Sequence, residues 1–321
     1  MQSTPQLGLR ASRLARGARR RLGMQRARPQ ASPVAPARRR KPPRTAILVV
    51  NGFDRTGRWG DFNTEEAREF PWIDLCLRQI ERHSRGSSYE VLVWDNSWMP
   101  EHKEIIERFP RTRRFEPRRI GAGVRHGPAL DRLLLRVRPG TEFVITLDTD
   151  SFPIRDGWIE NLTGRLSRDV LLAGVWRDEL LPRKPAFVHP SCLAIRRSTL
   201  RELAAPMAIG KSSDVAHNVT LAVEKAGGRV SRLRRSNAYN AHYLMGAVYG
   251  DLIYHQGAGS RAARFKPLPN SDRGESVRLA LRDAAFRDLD VLVDALAGNV
   301  HPSAVPRLTE PLRTGPVPST A

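Results

Sequence analysis

Residues 45–50 (Thr-Ala-Ile-Leu-Val-Val) are apolar almost without a break and stop at Asn51-Gly52. The same pattern recurs in residues 89–94 and again in residues 142–147. Short continuous apolar runs bounded by turn residues predict strands covered on both faces, as in a parallel sheet. Between them apolar positions return at helical spacing. Residues 71–83 form such a segment, with Pro71 suited to a first turn. Residues 101–108 and 127–137 form two more, the second with Pro128 near its start and Pro139-Gly140 at its end. A short strand is expected at residues 112–115. Strand and helix thus alternate about every 20–25 residues, which predicts a doubly wound α/β domain with a mostly parallel central sheet.

Beyond Asp150 the pattern loosens into a less regular second half. It predicts a helix at 156–166, strands at 170–176 and 191–195, and a helix at 215–226 stopped by Gly227-Gly228. Strand-like stretches follow at 229–233 and 243–254. An amphipathic helix at 276–296 is closed by Gly298 and Pro302. The expected divisions are an N-terminal arm and linker at 1–44, one α/β domain at 45–272, and a C-terminal helix with a Pro-rich tail at 273–321.

The chemistry concentrates where the third long strand ends. Leu147-Asp148-Thr149-Asp150 places two carboxylates two positions apart, so an extended backbone points both the same way. Ligand crevices of open α/β sheets lie at the carboxyl ends of the strands. Two carboxylates there repel and lose hydration unless a cation joins them. Oxygen ligands select a hard divalent ion, Mg²⁺ or Mn²⁺, which keeps positions open for phosphates. A solvated Asp-x-Asp turn is the alternative on spacing alone.

Composition narrows the field. The net charge of +21 suggests nucleic acid at first sight, but residues 1–44 hold 13 Arg or Lys and no acidic residue, leaving +8 for the other 277. Arg outnumbers Lys 48 to 6, a bias of the kind a GC-rich genome produces. The moderately basic remainder suits an anionic substrate such as a nucleotide diphosphate. Leu7, Ala11, Leu14, Ala18 and Leu22 fall on one helical stripe among arginines, which permits weak association with an anionic membrane surface. A disordered basic tail is the other reading. Cys76 and Cys192, with no Cys-x-x-Cys, exclude a zinc cluster or disulfide framework and read as buried thiols. No apolar run reaches the ~20 residues of a membrane span, and no secretory apolar core follows the basic start. The expected location is the cytoplasm, with the inner membrane face as a peripheral option.

With these pieces in order, residues 45–260 resemble nucleotide-sugar glycosyltransferases of the A-type fold (GT-A), in the broad family-2-like group. The likeness rests on residues 47–50 with Asn51, on Val91-Leu92-Val93-Trp94-Asp95-Asn96, on Leu147-Asp148-Thr149-Asp150-Ser151, and on Tyr254-His255-Gln256-Gly257. It implies an Asp-x-Asp at the end of the fourth strand holding a metal that bridges the donor's diphosphate. It implies Asp95 near the nucleotide base or ribose, with Asn51 and Asp148 also on the nucleotide sugar. His255 is the implied third metal ligand beside Asp148 and Asp150, against the plainer reading of a strand-end histidine. In the stretch after His255, Gly257 and Gly259 allow close approach to phosphate and Arg261 would neutralise it.

Transfer to a hydroxyl acceptor with inversion also needs a general base. The resemblance points to Asp214, ahead of the helix that ends at Gly227, although the usual acidic neighbour is missing. Helix capping by Asp214 and catalysis by His217 remain open. His189-Pro190-Ser191-Cys192 falls where such proteins place acceptor-side residues, and Trp98 or Trp158 could stack on a sugar or base. The Gln-x-x-Arg-Trp motif of processive synthases is absent, which favours a single hexosyltransferase-like transfer. Two other functions stay in view. A sugar-phosphate nucleotidyltransferase uses a related sheet but carries a basic glycine-rich loop after the first strand, of which Asn51-Gly52-Phe53-Asp54-Arg55 is a poor version. A nucleic-acid-binding protein acting through the arginine arm would lose binding with salt.

Overall fold

A computed structural model describes residues 43–52, 64–97, 99–118, 123–179, 185–208, 214–257, 271–301 and 313–314. The arginine arm, Trp98 and Arg261 lie outside the described residues.

The first half follows the apolar pattern closely. Strand β1 (Thr45–Asn51) leads through helices α1 (Thr64–Glu69) and α2 (Trp72–His83) to β2 (Tyr89–Asp95). Helix α3 (Pro100–Glu107), β3 (Thr112–Phe115), α4 (His126–Leu134) and β4 (Phe143–Asp148) complete it. The second half comprises β5 (Ser151–Pro153), α5 (Trp158–Gly164), β6 (Val170–Arg177), β7 (Phe187–Arg196) and α6 (Arg197–Leu203), then α7 (His217–Lys225) and β8 (Arg229–Leu233). Strands β9 (Tyr239–Asn240), β10 (Ala247–Tyr249) and β11 (Ile253–His255), helices α8 (Ser271–Arg287) and α9 (Leu289–Ala297), and β12 (Arg313–Thr314) finish it.

Seven strands form the main sheet in the order β3-β2-β1-β4-β7-β6-β8. All neighbours are parallel except β7, which runs antiparallel to both β4 and β6. The expected doubly wound, mostly parallel α/β sheet is the one observed. Each face carries its own core. Ile47 and Val49 of β1 join Ile73, Leu77 and Ile80 of α2 on one face, while Ala46, Leu48 and Val50 join Leu130 and Leu133 of α4 on the other. Period-two alternation within a wholly apolar strand therefore feeds two clusters, which is why no polar position interrupts it.

Three expectations change in detail. The stretch at 243–254 is a hairpin of β10 and β11, not one strand, because Gly250 and Asp251 both take positive φ and turn the chain. The C-terminal helix is two helices, broken at Asp288, whose carboxylate accepts the Val291 amide as the N-cap of α9. Helices α1 and α6 were not foreseen; α1 is short and mostly charged, with no apolar stripe to announce it. The hairpin strand β11 pairs on its other edge with β5, forming a small antiparallel sheet, β10-β11-β5, beside the carboxyl end of β4. Among the described residues no helix is long and apolar enough to cross a membrane.

Candidate metal and nucleotide-sugar site

Asp148 ends β4, residues 149 and 150 turn the chain, and β5 starts at Ser151. That small strand is paired so that Ser151 faces His255 across the ladder, and the Gln256 amide donates to the Asp150 carbonyl at 2.9 Å. Backbone register thus delivers His255 to the acidic pair. One ligand atom from each of Asp148, Asp150 and His255 lies within 4.8 Å of the others. Asp150 and His255 are buried, and Asp148 is partly open to the crevice. These are the three residues expected as metal ligands, and the chain brings them together.

Two further histidines stand against Asp148. His126 Nε2 lies 3.3 Å from Asp148 Oδ1, and His189 Nδ1 lies 3.9 Å from Oδ2. Burial pushes the His126 imidazole down to about 4, against the opposing pull of Asp150 and Asp214, so it is neutral at pH 7. His189 Nδ1 accepts the Ser191 amide at 3.1 Å, which leaves its proton on Nε2. His126 was missed by sequence reasoning because it opens α4, far upstream, with no spacing signal linking it to Asp148.

The turn that carries His126 is fixed from both sides. Asn96 receives the Val124 amide at 3.0 Å and returns its Nδ2 to the Val124 carbonyl at 2.8 Å. On the other flank Asp131 of α4 accepts the amides of Met207 and Ala208. Gly127 permits this approach, since a Cβ there would meet Ala208 Cα and Met207 O at 2.6 Å.

Asn51 and Asp95, expected on the nucleotide, form a buried pair at the ends of adjacent strands. Asp95 Oδ1 accepts Asn51 Nδ2 at 3.0 Å and the Ser97 amide and hydroxyl at 3.0 and 2.6 Å, while Oδ2 takes Arg114 Nε at 2.7 Å. His102 Nε2 donates to the Ala67 carbonyl, so its Nδ1 accepts the second Asn51 hydrogen at 3.0 Å. Both side chains are thereby engaged in holding the edge of the crevice.

Asp214 precedes α7, and its Oδ1 accepts the adjacent Val215 amide at 2.9 Å. The N-cap of α7 is Ala216, in a left-handed conformation and with no side-chain cap bond, so capping does not account for Asp214. The Asp214 charge favours the protonated form of both His126 and Arg177, against the larger effect of their burial. His217 is buried with its ring 5.0 Å from that of Phe187. Trp158 is buried in the core, its Nε1 donating to Ser84 Oγ at 2.8 Å, which removes it as a stacking platform. Cys76 and Cys192 are free and buried, and burial, aided by the nearby aspartates, pushes both thiols far up.

The mostly parallel seven-stranded sheet and the acidic pair at the end of its fourth strand are the features that the resemblance to A-type nucleotide-sugar transferases implies. No protein-family model and no curated protein matches the chain. Among solved structures it is similar to a mannosyltransferase from Pyrobaculum calidifontis in complex with GDP-Man and Mn²⁺, at 16% identity and a TM-score of 0.47, covering 83% of this chain and 73% of that one. It is similar to glucosyl-3-phosphoglycerate synthase from Mycobacterium tuberculosis in complex with Mg²⁺ and UDP, at 13% identity and a TM-score of 0.38, covering 60% and 69%. A third is 4-diphosphocytidyl-2C-methyl-D-erythritol synthase from Anaerococcus prevotii, at 11% identity and a TM-score of 0.40, covering 59% and 86%.

Proposed function

We propose that this protein transfers a single sugar from a nucleotide-diphosphate donor to a hydroxyl acceptor, with a divalent cation held by Asp148, Asp150 and His255. The observation that carries the reading is the convergence of those three side chains within 4.8 Å at the carboxyl edge of the sheet. Two buried or half-buried carboxylates and an imidazole fit a dication, because without one the two negative charges repel in a poorly hydrated crevice. The mixed oxygen and nitrogen set favours Mn²⁺ over Mg²⁺, which prefers oxygen alone. When bound, the ion neutralises the charge that develops on the departing diphosphate.

The chain's own residues supply the rest. His126, with Nε2 3.3 Å from Asp148 Oδ1, packs against that carboxylate and limits where it can swing. Asn51 and Asp95 brace the crevice edge beneath the nucleotide, with Arg114 closing over the Asp95 carboxylate. Asp214 takes the proton from the acceptor hydroxyl, next to the site but apart from the metal ligands.

Thermal-shift screening of UDP-, GDP- and dTDP-sugars with and without Mn²⁺ tests the donor side. One nucleotide sugar is expected to raise the melting temperature only when Mn²⁺ is present. Asp150→Ala should remove that response and all Mn²⁺-dependent donor hydrolysis while the apo melting temperature holds. Full activity of Asp150→Ala, or of the wild type in excess EDTA, would overturn the proposal. Pyrophosphate release from a nucleoside triphosphate and a sugar phosphate would instead mark a nucleotidyltransferase.

A further inference from the structure

Two half-buried arginines lie in the second half of the chain, and they are used differently. Arg235 donates to three backbone carbonyls, those of His242, Tyr243 and Met245, and so pins the segment ahead of β10. Arg177 ends β6 and, among the described residues, makes one hydrogen bond, from Nε to Glu179 Oε2 at 2.9 Å. The other Glu179 oxygen is occupied by the Tyr249 hydroxyl at 2.5 Å. A guanidinium presents five donors in a planar fork, so the Nη edge of Arg177 carries four that this pairing leaves over. Its side chain is only 11% exposed. A charged fork so little exposed is well placed to gain from an anionic acceptor.

The surroundings tie Arg177 to the proposed metal ligands. β6 is parallel to β4, since each is antiparallel to β7, so Arg177 and Asp148 stand at the same end of the sheet. Arg177 reaches the metal ligands through Glu179 and Tyr249, whose ring lies 6.5 Å from that of His255. His126 Nε2 stands 3.3 Å from Asp148 Oδ1, and the Asp214 charge favours the protonated form of both His126 and Arg177. Glu179 thus holds Arg177 by its Nε side at the end of the sheet that carries the proposed metal ligands.

We infer that Arg177 is an acceptor-binding residue, that its Nη edge takes an anionic oxygen group, and that the acceptor therefore carries a phosphate or carboxylate as well as the hydroxyl that receives the sugar. Glu179 and Tyr249 are positioning residues that hold the guanidinium by its Nε side. Such a fork matches the planar geometry of both oxyanions and discriminates against neutral polyols. The inference rests on the transferase reading, and its test separates the two.

Full-length protein is loaded with Mn²⁺ and the nucleoside diphosphate that gives the largest thermal shift, then titrated calorimetrically with glycerol 3-phosphate, glycerate or glycerol. The loaded nucleotide blocks the diphosphate site, so a second anion has to bind elsewhere. One of the two anions is expected to bind and glycerol is not, and which anion binds identifies the oxyanion. Arg177→Gln should weaken that binding by about 10–100-fold, the cost of losing charge-assisted hydrogen bonds, with nucleotide affinity unchanged. If Arg177→Gln misfolds because Glu179 is left unpaired, Arg177→Gln/Glu179→Gln removes both charges together and should show the same loss. Arg177→Lys keeps the charge but not the fork and should recover only part of the affinity. Equal binding of the anion by wild type and the double variant, or binding of neither anion by wild type, overturns the inference. Failure of the nucleotide to bind in the first step instead sinks the transferase reading.

Discussion

His255 Nε2 stands 3.8 Å from Asp150 Oδ1, and it is the β5–β11 ladder that puts it there. The pairing of His255 with Ser151 means that the proposed metal ligand set is closed by a short antiparallel sheet outside the main one. Replacing His255 with Gln leaves both aspartates and the ladder in place. The Mn²⁺ concentration for half-maximal donor hydrolysis should rise by more than the ~10–100-fold typical of losing an outer-shell partner of a metal ligand. Titration of activity with Mn²⁺ reads this directly; an unchanged midpoint would return His255 to an ordinary strand-end role.

Asp214 gives a separate prediction because it lies outside the ligand set. Asp214→Asn keeps the Val215 amide bond within reach of its Oδ1 and removes the proton acceptor. Transfer should slow by about 10²–10⁴-fold with the Mn²⁺-dependent thermal shift of the donor intact. A comparable loss in His217→Gln with a normal rate in Asp214→Asn would move the base to the histidine.

Gly127 sits in the first turn of α4, where alanine would ordinarily favour a helix by about 1 kcal/mol. Here the added Cβ would meet backbone atoms of residues 207 and 208 at 2.6 Å. Overpacking against backbone outweighs propensity, so Gly127→Ala should destabilise the chain by about 1–3 kcal/mol. The same shift displaces His126 from Asp148. Chemical denaturation should show a lower midpoint with an unchanged slope; a stabilised variant would mean that the 207–208 turn gives way freely.

How much of this was legible beforehand follows from what one-dimensional patterns contain. Strands β1, β2 and β4 were readable because burial on both faces leaves unbroken apolar runs. β3 was readable despite its half-buried arginines, of which Arg113 stacks on Phe115 and Arg114 pairs with Asp95. The direction of β7 was not, since period and composition are the same for either sense. Its start was hidden by Pro190, tolerated because the β6–β7 register shifts between Gly174 and Trp176 and because the Pro190 carbonyl receives the Thr146 hydroxyl at 2.7 Å. At the site, Asp148 and Asp150 announce themselves by spacing, and His255 by its place in a family-like order. His126, Arg177 and Glu179 do not, because their relation to the aspartates exists only after β6, β7 and α4 are arranged around β4.

His242, which is not one of the proposed metal ligands, supplies a dependence on pH. Burial, and then the Arg235 guanidinium whose Nη2 donates to the His242 carbonyl, push its imidazole down to about 4. Its Nδ1 accepts the Leu244 amide at 3.0 Å, a bond that the protonated ring cannot make. The folded state therefore binds this proton less readily than the unfolded chain, whose histidine titrates near an ordinary ~6.5. The stabilisation is complete above that pH and is lost as pH falls from about 6.5 through about 4, where the unfolded chain takes up the proton first. Buried His126 adds to the slope in the same direction. Melting temperatures measured from pH 7.5 to 4.5 should fall through this window. His242→Asn, which can keep an acceptor for the Leu244 amide but does not titrate, should flatten the fall and leave the pH 7.5 value nearly unchanged. A wild-type slope in that variant would show that His242 takes up its proton as readily in the folded protein as in the unfolded chain.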